Sequence, residues 1–140
     1  MITETHASAG FAAMRPTAPA SLAELRSAAE AGDRRAQYCL GVAFEEGRGV
    51  PANTRQAVKW YRLAAQQDDA DAQLALGVAY AIGEGVERDY GQAYVWFSQA
   101  ARHGREEATE LRALVARELG QTACMDAVLQ SQRLASVLRL

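Results

Sequence analysis

Residues 36–65 read AQYCLGVAFEEGRGVPANTRQAVKWYRLAA, and residues 72–101 read AQLALGVAYAIGEGVERDYGQAYVWFSQAA. The second passage repeats the first at an offset of 36. Ala36-Gln37 returns as Ala72-Gln73, Leu40-Gly41-Val42-Ala43 as Leu76-Gly77-Val78-Ala79, and Gly47-x-Gly49-Val50 as Gly83-x-Gly85-Val86. Gln56-Ala57, Trp60 and Ala64-Ala65 recur as Gln92-Ala93, Trp96 and Ala100-Ala101. With Asp33 and Asp69 there are 15 identical columns in the 36-residue unit. A fixed period of this size marks a stacked repeat architecture, in which each unit buries its apolar face against the next.

Within a unit the spacing is helical. Gln37, Leu40 and Phe44, matched by Gln73, Leu76 and Tyr80, form an amphipathic face on a first helix capped by Asp33 or Asp69. Ala57, Trp60, Tyr61 and Ala64, matched by Ala93, Trp96, Phe97 and Ala100, form the stripe of a second helix. The paired glycines between the helices make the turn, and Val50 and Val86 plug it. Asn53-x-x-Gln56 and Asp89-x-x-Gln92 predict a second-helix cap in which the glutamine side chain reaches back. The second helices are placed at 53–67 and 89–103. Gly41 and Gly77 lie inside the first helices at a cost of about 1 kcal/mol relative to alanine. That cost is reasonable if a large side chain lies against the backbone there, and Trp60 and Trp96 are the expected ones.

Outside the two units the pattern thins. Residues 1–20 read as a flexible tail from which Phe11 and Met14 could dock. Ser21-x-x-Glu24 predicts a reciprocal cap for a half-unit helix over 21–32, ended by Gly32. The units follow at 33–68 and 69–104, and 105–140 reads as C-terminal capping helices broken at Gly120-Gln121-Thr122. In the last helix Met125, Val128, Leu129 and Gln132 mark one side, and Leu134, Val137 and Leu138 another. Terminal units diverge because their outer face meets water. The fold class is therefore all-α, built of antiparallel helix pairs.

Composition narrows the function. Across 140 residues, 49% hydrophobic and 23% charged with a net charge of −2, there is no basic footprint for nucleic acid. No apolar run has the length of a membrane span. The start of the chain lacks the pattern of a secretory signal, so the cytoplasm is expected, with the periplasm the alternative for a truncated chain. Cys39 and Cys124 make neither a disulfide framework nor a metal site. His6 and His103 have no partners at ligand or catalytic spacing. Asp68-Asp69-x-Asp71 lacks the glycine and glutamate of a calcium loop and reads as helix capping. Gly47-x-Gly49 leads out of a helix, with no lysine-serine to follow, and reads as a turn. No catalytic residue, metal or cofactor is expected.

These units resemble Sel1-like repeats, of the tetratricopeptide class of helical-pair solenoids, over residues 21–104. The resemblance implies a right-handed α-solenoid and a non-catalytic adaptor that binds another protein, commonly in bacterial signalling, envelope or virulence pathways. Cysteine-rich relatives that bind or hydrolyse β-lactams carry paired cysteines in each unit, whereas the column of Cys39 holds Ala75. In such arrays the first helices line the concave side. This implies a partner-binding face of Arg35, Tyr38, Val42, Glu45 and Glu46 from the first unit, and Asp71, Leu74, Val78, Ala81 and Ile82 from the second. Leu74, Val78 and Ile82 step by four into an apolar strip, open to a partner or covered by a terminus. The asparagine of the carboxylate clamp is replaced by Val42 and Val78, so capture of a terminal carboxylate on this face is not expected. The alternative is a homodimer packed through the apolar last helix, and a less favoured one is a β-lactamase-like hydrolase of the kind found among those cysteine-rich relatives.

Overall fold

The computed structural model describes residues 21–139, and within it the side chains at 121–127, 134 and 136–139 fall outside the description. The expected tail with Phe11 and Met14 therefore lies outside the described residues, as do His6 and the side chains of Cys124, Met125, Leu134, Val137 and Leu138. Among the described residues the chain is helical throughout: α1 (Leu22–Glu30), α2 (Arg34–Glu46), α3 (Thr54–Gln66), α4 (Ala70–Ile82), α5 (Tyr90–Arg102) and α6 (Glu107–Arg139). Successive helices pack as antiparallel neighbours in an α-solenoid. None is long and apolar enough to cross a membrane.

Local chemistry sets the boundaries. Ser21 and Glu24 close a reciprocal capping box on α1. Asp33 and Asp69 accept from the first-turn N–H groups of α2 and α4. Gly47 and Gly83 end those helices at φ 74° and 77°, in the left-handed region where glycine pays no Cβ penalty. Asn53 and Asp89 cap α3 and α5 by accepting from Gln56 N and Gln92 N. The expected return bond from the glutamine side chains does not form. The N–H groups of Asn53 and Asp89 are already held by Phe44 O and Tyr80 O at 2.8 and 2.9 Å, which ties each turn to its own first helix.

The core runs through the repeat in two clusters. The larger joins Ala29, Leu40, Phe44, Tyr61, Leu76 and their small neighbours; the second joins Ala93, Phe97 and Ala100 to Ala108 and Val115 of α6. The rings that lie against Gly41 and Gly77 are Tyr61 and Phe97, not the tryptophans. A Cβ at either glycine would stand 2.6 Å from the facing ring carbons. The reason is rotational. Trp60 and Trp96 sit one residue, about 100°, around the helix, and this turns them to the flank, where they are half-buried against the first cluster. Phe97 is 1% exposed and Tyr61 3%.

Buried polar groups complete the pattern. Gln37 and Gln73, 5% and 1% exposed, donate to the carbonyls of Ala29 and Ala65 at 3.1 Å. Their amide oxygens are met by Gln67 Nε2 at 2.9 Å and His103 Nδ1 at 3.0 Å. The first helix of each unit is thereby stitched to the helix before it and to the end of its own second helix. This also assigns His103, whose Nδ1 carries the proton that Gln73 Oε1 accepts.

Candidate functional site

The first helices α2 and α4 and the start of α6 lie in register, and a line of alternating charge crosses their N-terminal ends. Arg35 Nη1 reaches Asp69 at 2.8 Å and Asp71 at 3.0 Å. Asp71 also pairs with Arg105, and Arg105 holds Glu107. Asp69 is the cap of α4 as well; its side chain is 2% exposed and accepts from Ala72 N. The bond to Glu107 raises the basicity of Arg105, and in return the Glu107 carboxyl is held below its usual range. Ion pairs with a solvent-exposed partner add little to stability. Their larger effect is to fix the lateral register of the units.

Tyr38 lies beneath this line. The Arg35 guanidinium stands 4.9 Å from its ring centroid, and the Tyr61 ring is 5.8 Å away and tilted by 35°. Tyr61 donates its hydroxyl to Glu45. Burial, then the hydrogen bond to the Glu45 carboxylate, raises the Tyr61 pKa far above its ordinary value. Burial raises that of Tyr38 too, against the opposing pull of Arg35. Burial also raises the pKa of the half-buried Cys39 thiol, which works against thiolate formation.

The remaining face residues divide between packing and exposure. Val42 packs half-buried on the first core cluster, and Leu74, Val78 and Ala81 pack on the second. The apolar strip is therefore partly absorbed by the core that α6 closes. Its end is open: Ile82 is 57% exposed. Beside it a notch of about 30 Å³ opens between the units, bordered by Glu45, Val58, Val78, Ile82 and Glu84. That space admits the tip of one side chain. Glu46 turns away to pair with Arg48 at 2.6 Å.

The ten expected residues thus separate into a charged end (Arg35, Tyr38, Asp71), an apolar and acidic end (Glu45, Val78, Ile82) and a supporting layer. Val58, Glu84 and Arg105 were not expected. Glu84 sits in the glycine turn, read only as a connector. Val58 lies one helix away from the face. The signal for Arg105 is present in the repeat columns, where Asp33 and Asp69 are followed by an arginine of opposite sign. Among the described residues no group of three or more His, Cys, Asp or Glu side chains is placed to hold a metal ion. Asp68 faces His103, Asp69 caps α4 and pairs with Arg35, and Asp71 pairs with Arg35 and Arg105.

The family model described as Sel1 repeat matches residues 34–69 and 70–104. Among solved structures, a Sel1 repeat protein from Oxalobacter formigenes is 38% identical with a TM-score of 0.65, covering 66% of this chain and 38% of that one. A protective antigen present in uropathogenic Escherichia coli strains, displaying an SLR fold, is 39% identical with a TM-score of 0.76, covering 80% and 24%. Helicobacter pylori cysteine rich protein B is 31% identical with a TM-score of 0.62, covering 64% and 68%. The chain spans well under half the length of the first two. No curated protein matches it.

Proposed function

This chain belongs to the Sel1 repeat family, and from that premise we propose that it is a non-catalytic adaptor holding a partner peptide or helix on the α2/α4 face. Sel1 repeats generally mediate protein–protein interactions, and a cytoplasmic role in a bacterial signalling, envelope or virulence pathway is the setting we assign. The observation that carries the reading is the open end of the apolar strip. Ile82 stands exposed beside a notch between units, with Glu45 and Glu84 at its edge. A partner side chain that fills the notch and covers Ile82 buries apolar surface worth about 25 cal/mol per Å², and the carboxylates favour a basic neighbour on the same segment.

The test is substitution at the open end. Ile82→Asp removes capture of the partner identified by pull-down and mass spectrometry, while helical circular dichroism and melting temperature stay at wild-type values. Leu74→Asp cannot serve, because Leu74 packs on the second core cluster and its loss weakens the fold itself. Retained capture by Ile82→Asp overturns the assignment of this face.

A second reading, a homodimer through α6, draws on Leu114 and Leu129, which are 50% and 47% exposed. It requires a light-scattering mass of twice the chain that falls to one chain in Leu129→Asp.

A further inference from the structure

On the other side of the array, between α5 and both arms of α6, lies a cleft of about 290 Å³. Its charge is legible in the repeat columns. Counting back 36 from Arg112 reaches Leu76, which is fully buried in the first cluster. The third unit carries an arginine at that position, and it lines the cleft. The substitution places a cation there.

The lining has a definite chemistry. Arg102 and Arg112 both border it, and among the described residues no carboxylate does. Arg112 stands 5.9 Å from the centroid of the Tyr94 ring, which orients the guanidinium. Arg102 gives one N–H to Gln99 at 2.6 Å and keeps its remaining donors. Among the described residues neither arginine is in an ion pair, whereas Arg35, Arg48 and Arg105 all are. Val95 and Val128 supply apolar surface, and Ser131 and Gln132 add polar groups opposite α5. Two like charges facing one partly enclosed space repel each other, and an anion placed between them removes that cost. Guanidinium groups bind carboxylates through parallel N–H donors. A cleft near 300 Å³ is at the small end of the range for ligand sites.

We propose that this cleft is a binding site for a small organic acid, a carboxylate on a compact apolar body. Arg112 and Arg102 take the carboxylate, and Val95, Val128 and the Tyr94 ring take the body. The site lies on α5 and α6, away from the α2/α4 face, and does not depend on the adaptor reading.

The test uses the full chain and a pair of probes, benzoate and its neutral counterpart benzyl alcohol, followed by amide NMR shifts. Benzoate is expected to give saturable shifts centred on Tyr94, Ser98 and Ser131, with Kd below about 1 mM. Benzyl alcohol binds at least about tenfold more weakly, and Arg112→Met weakens benzoate by about tenfold or more, the loss expected for a hydrogen bond to a charged group. If Arg112→Met fails to fold, Arg102→Met, on the rim of the cleft, gives the same reading. Equal binding of the two probes, no saturable shift up to about 10 mM benzoate, or benzoate binding unchanged in the variant that folds overturns the proposal and leaves a packing gap of the divergent third unit.

Discussion

At the scale of single residues, the two helical glycines are explained by the rings laid on them, and the explanation gives a sign. Helix propensity alone favours alanine over glycine by about 1 kcal/mol. At Gly41 a Cβ would meet Tyr61 Cδ1 and Cε1 at 2.6 Å and Ala57 O at 3.2 Å. Overpacking of this kind costs about 1–3 kcal/mol or more, and the ring is tethered by its bond to Glu45 and cannot easily withdraw. Gly41→Ala is therefore expected to lower the urea midpoint despite its better propensity. The same tyrosine makes stability pH-dependent. Its pKa is raised in the folded state, so the unfolded chain loses that proton first. Its contribution is intact below the ordinary value of 10.0 and is lost as pH rises beyond it. The urea midpoint should fall above about pH 10, and less steeply in Tyr61→Phe. Tyr38, raised in the same direction, accounts for part of the remainder.

At the scale of elements, the two glycine turns look alike in sequence and differ in surroundings. Gly49 and Gly85 share a φ of 77°. A Cβ at Gly49 would meet only Leu22 Cδ2, at 3.8 Å. At Gly85 it would lie 2.8 Å from both Thr54 C and Val58 Cγ2, because the second turn rests on the start of α3. Gly49→Ala should cost about 1 kcal/mol for its backbone conformation alone, and Gly85→Ala clearly more, read as a difference in urea midpoint. This contrast shows where sequence reading stops. Caps, turns and helix spans follow from local signals, since Asp33, Asn53 and Gly47 act on backbone within a few residues of themselves. Contacts between helices do not. Which of Trp60 and Tyr61 meets Gly41 depends on helix rotation, which hydrophobicity does not rank. The Arg35–Asp71 and Arg105–Asp71 pairs join residues 36 and 34 apart, and become visible only once the units stand side by side. Likewise, Leu74, Val78 and Ile82 share a four-residue step, yet their exposure is decided by α6.

At the scale of the molecule, both core clusters are complete by Val115 among the described residues. The first arm of α6 closes the second unit through Ala108, Leu111 and Val115. Gly120, at φ 77° and ψ 161°, then turns the chain in a conformation open almost only to glycine. Deleting residues 121–140 should therefore leave a single cooperative transition, with a melting temperature lower by no more than about 4–8 °C, the shift for roughly 1 kcal/mol in a domain this small. Deleting from residue 105 should instead expose Phe97 and abolish that transition. The line of charge across the helix starts bears on how such an array can grow. A duplication of residues 69–104 alone would set Asp71 against a copied Asp69 and Asp71, with no cation between them. Duplicating 33–104 as a block would bring a copied Arg35 to Asp71 and preserve the alternation. Lengthening by recombination, in nature or by design, is thereby steered toward even increments: the inheritable module is the pair of units, not the single one.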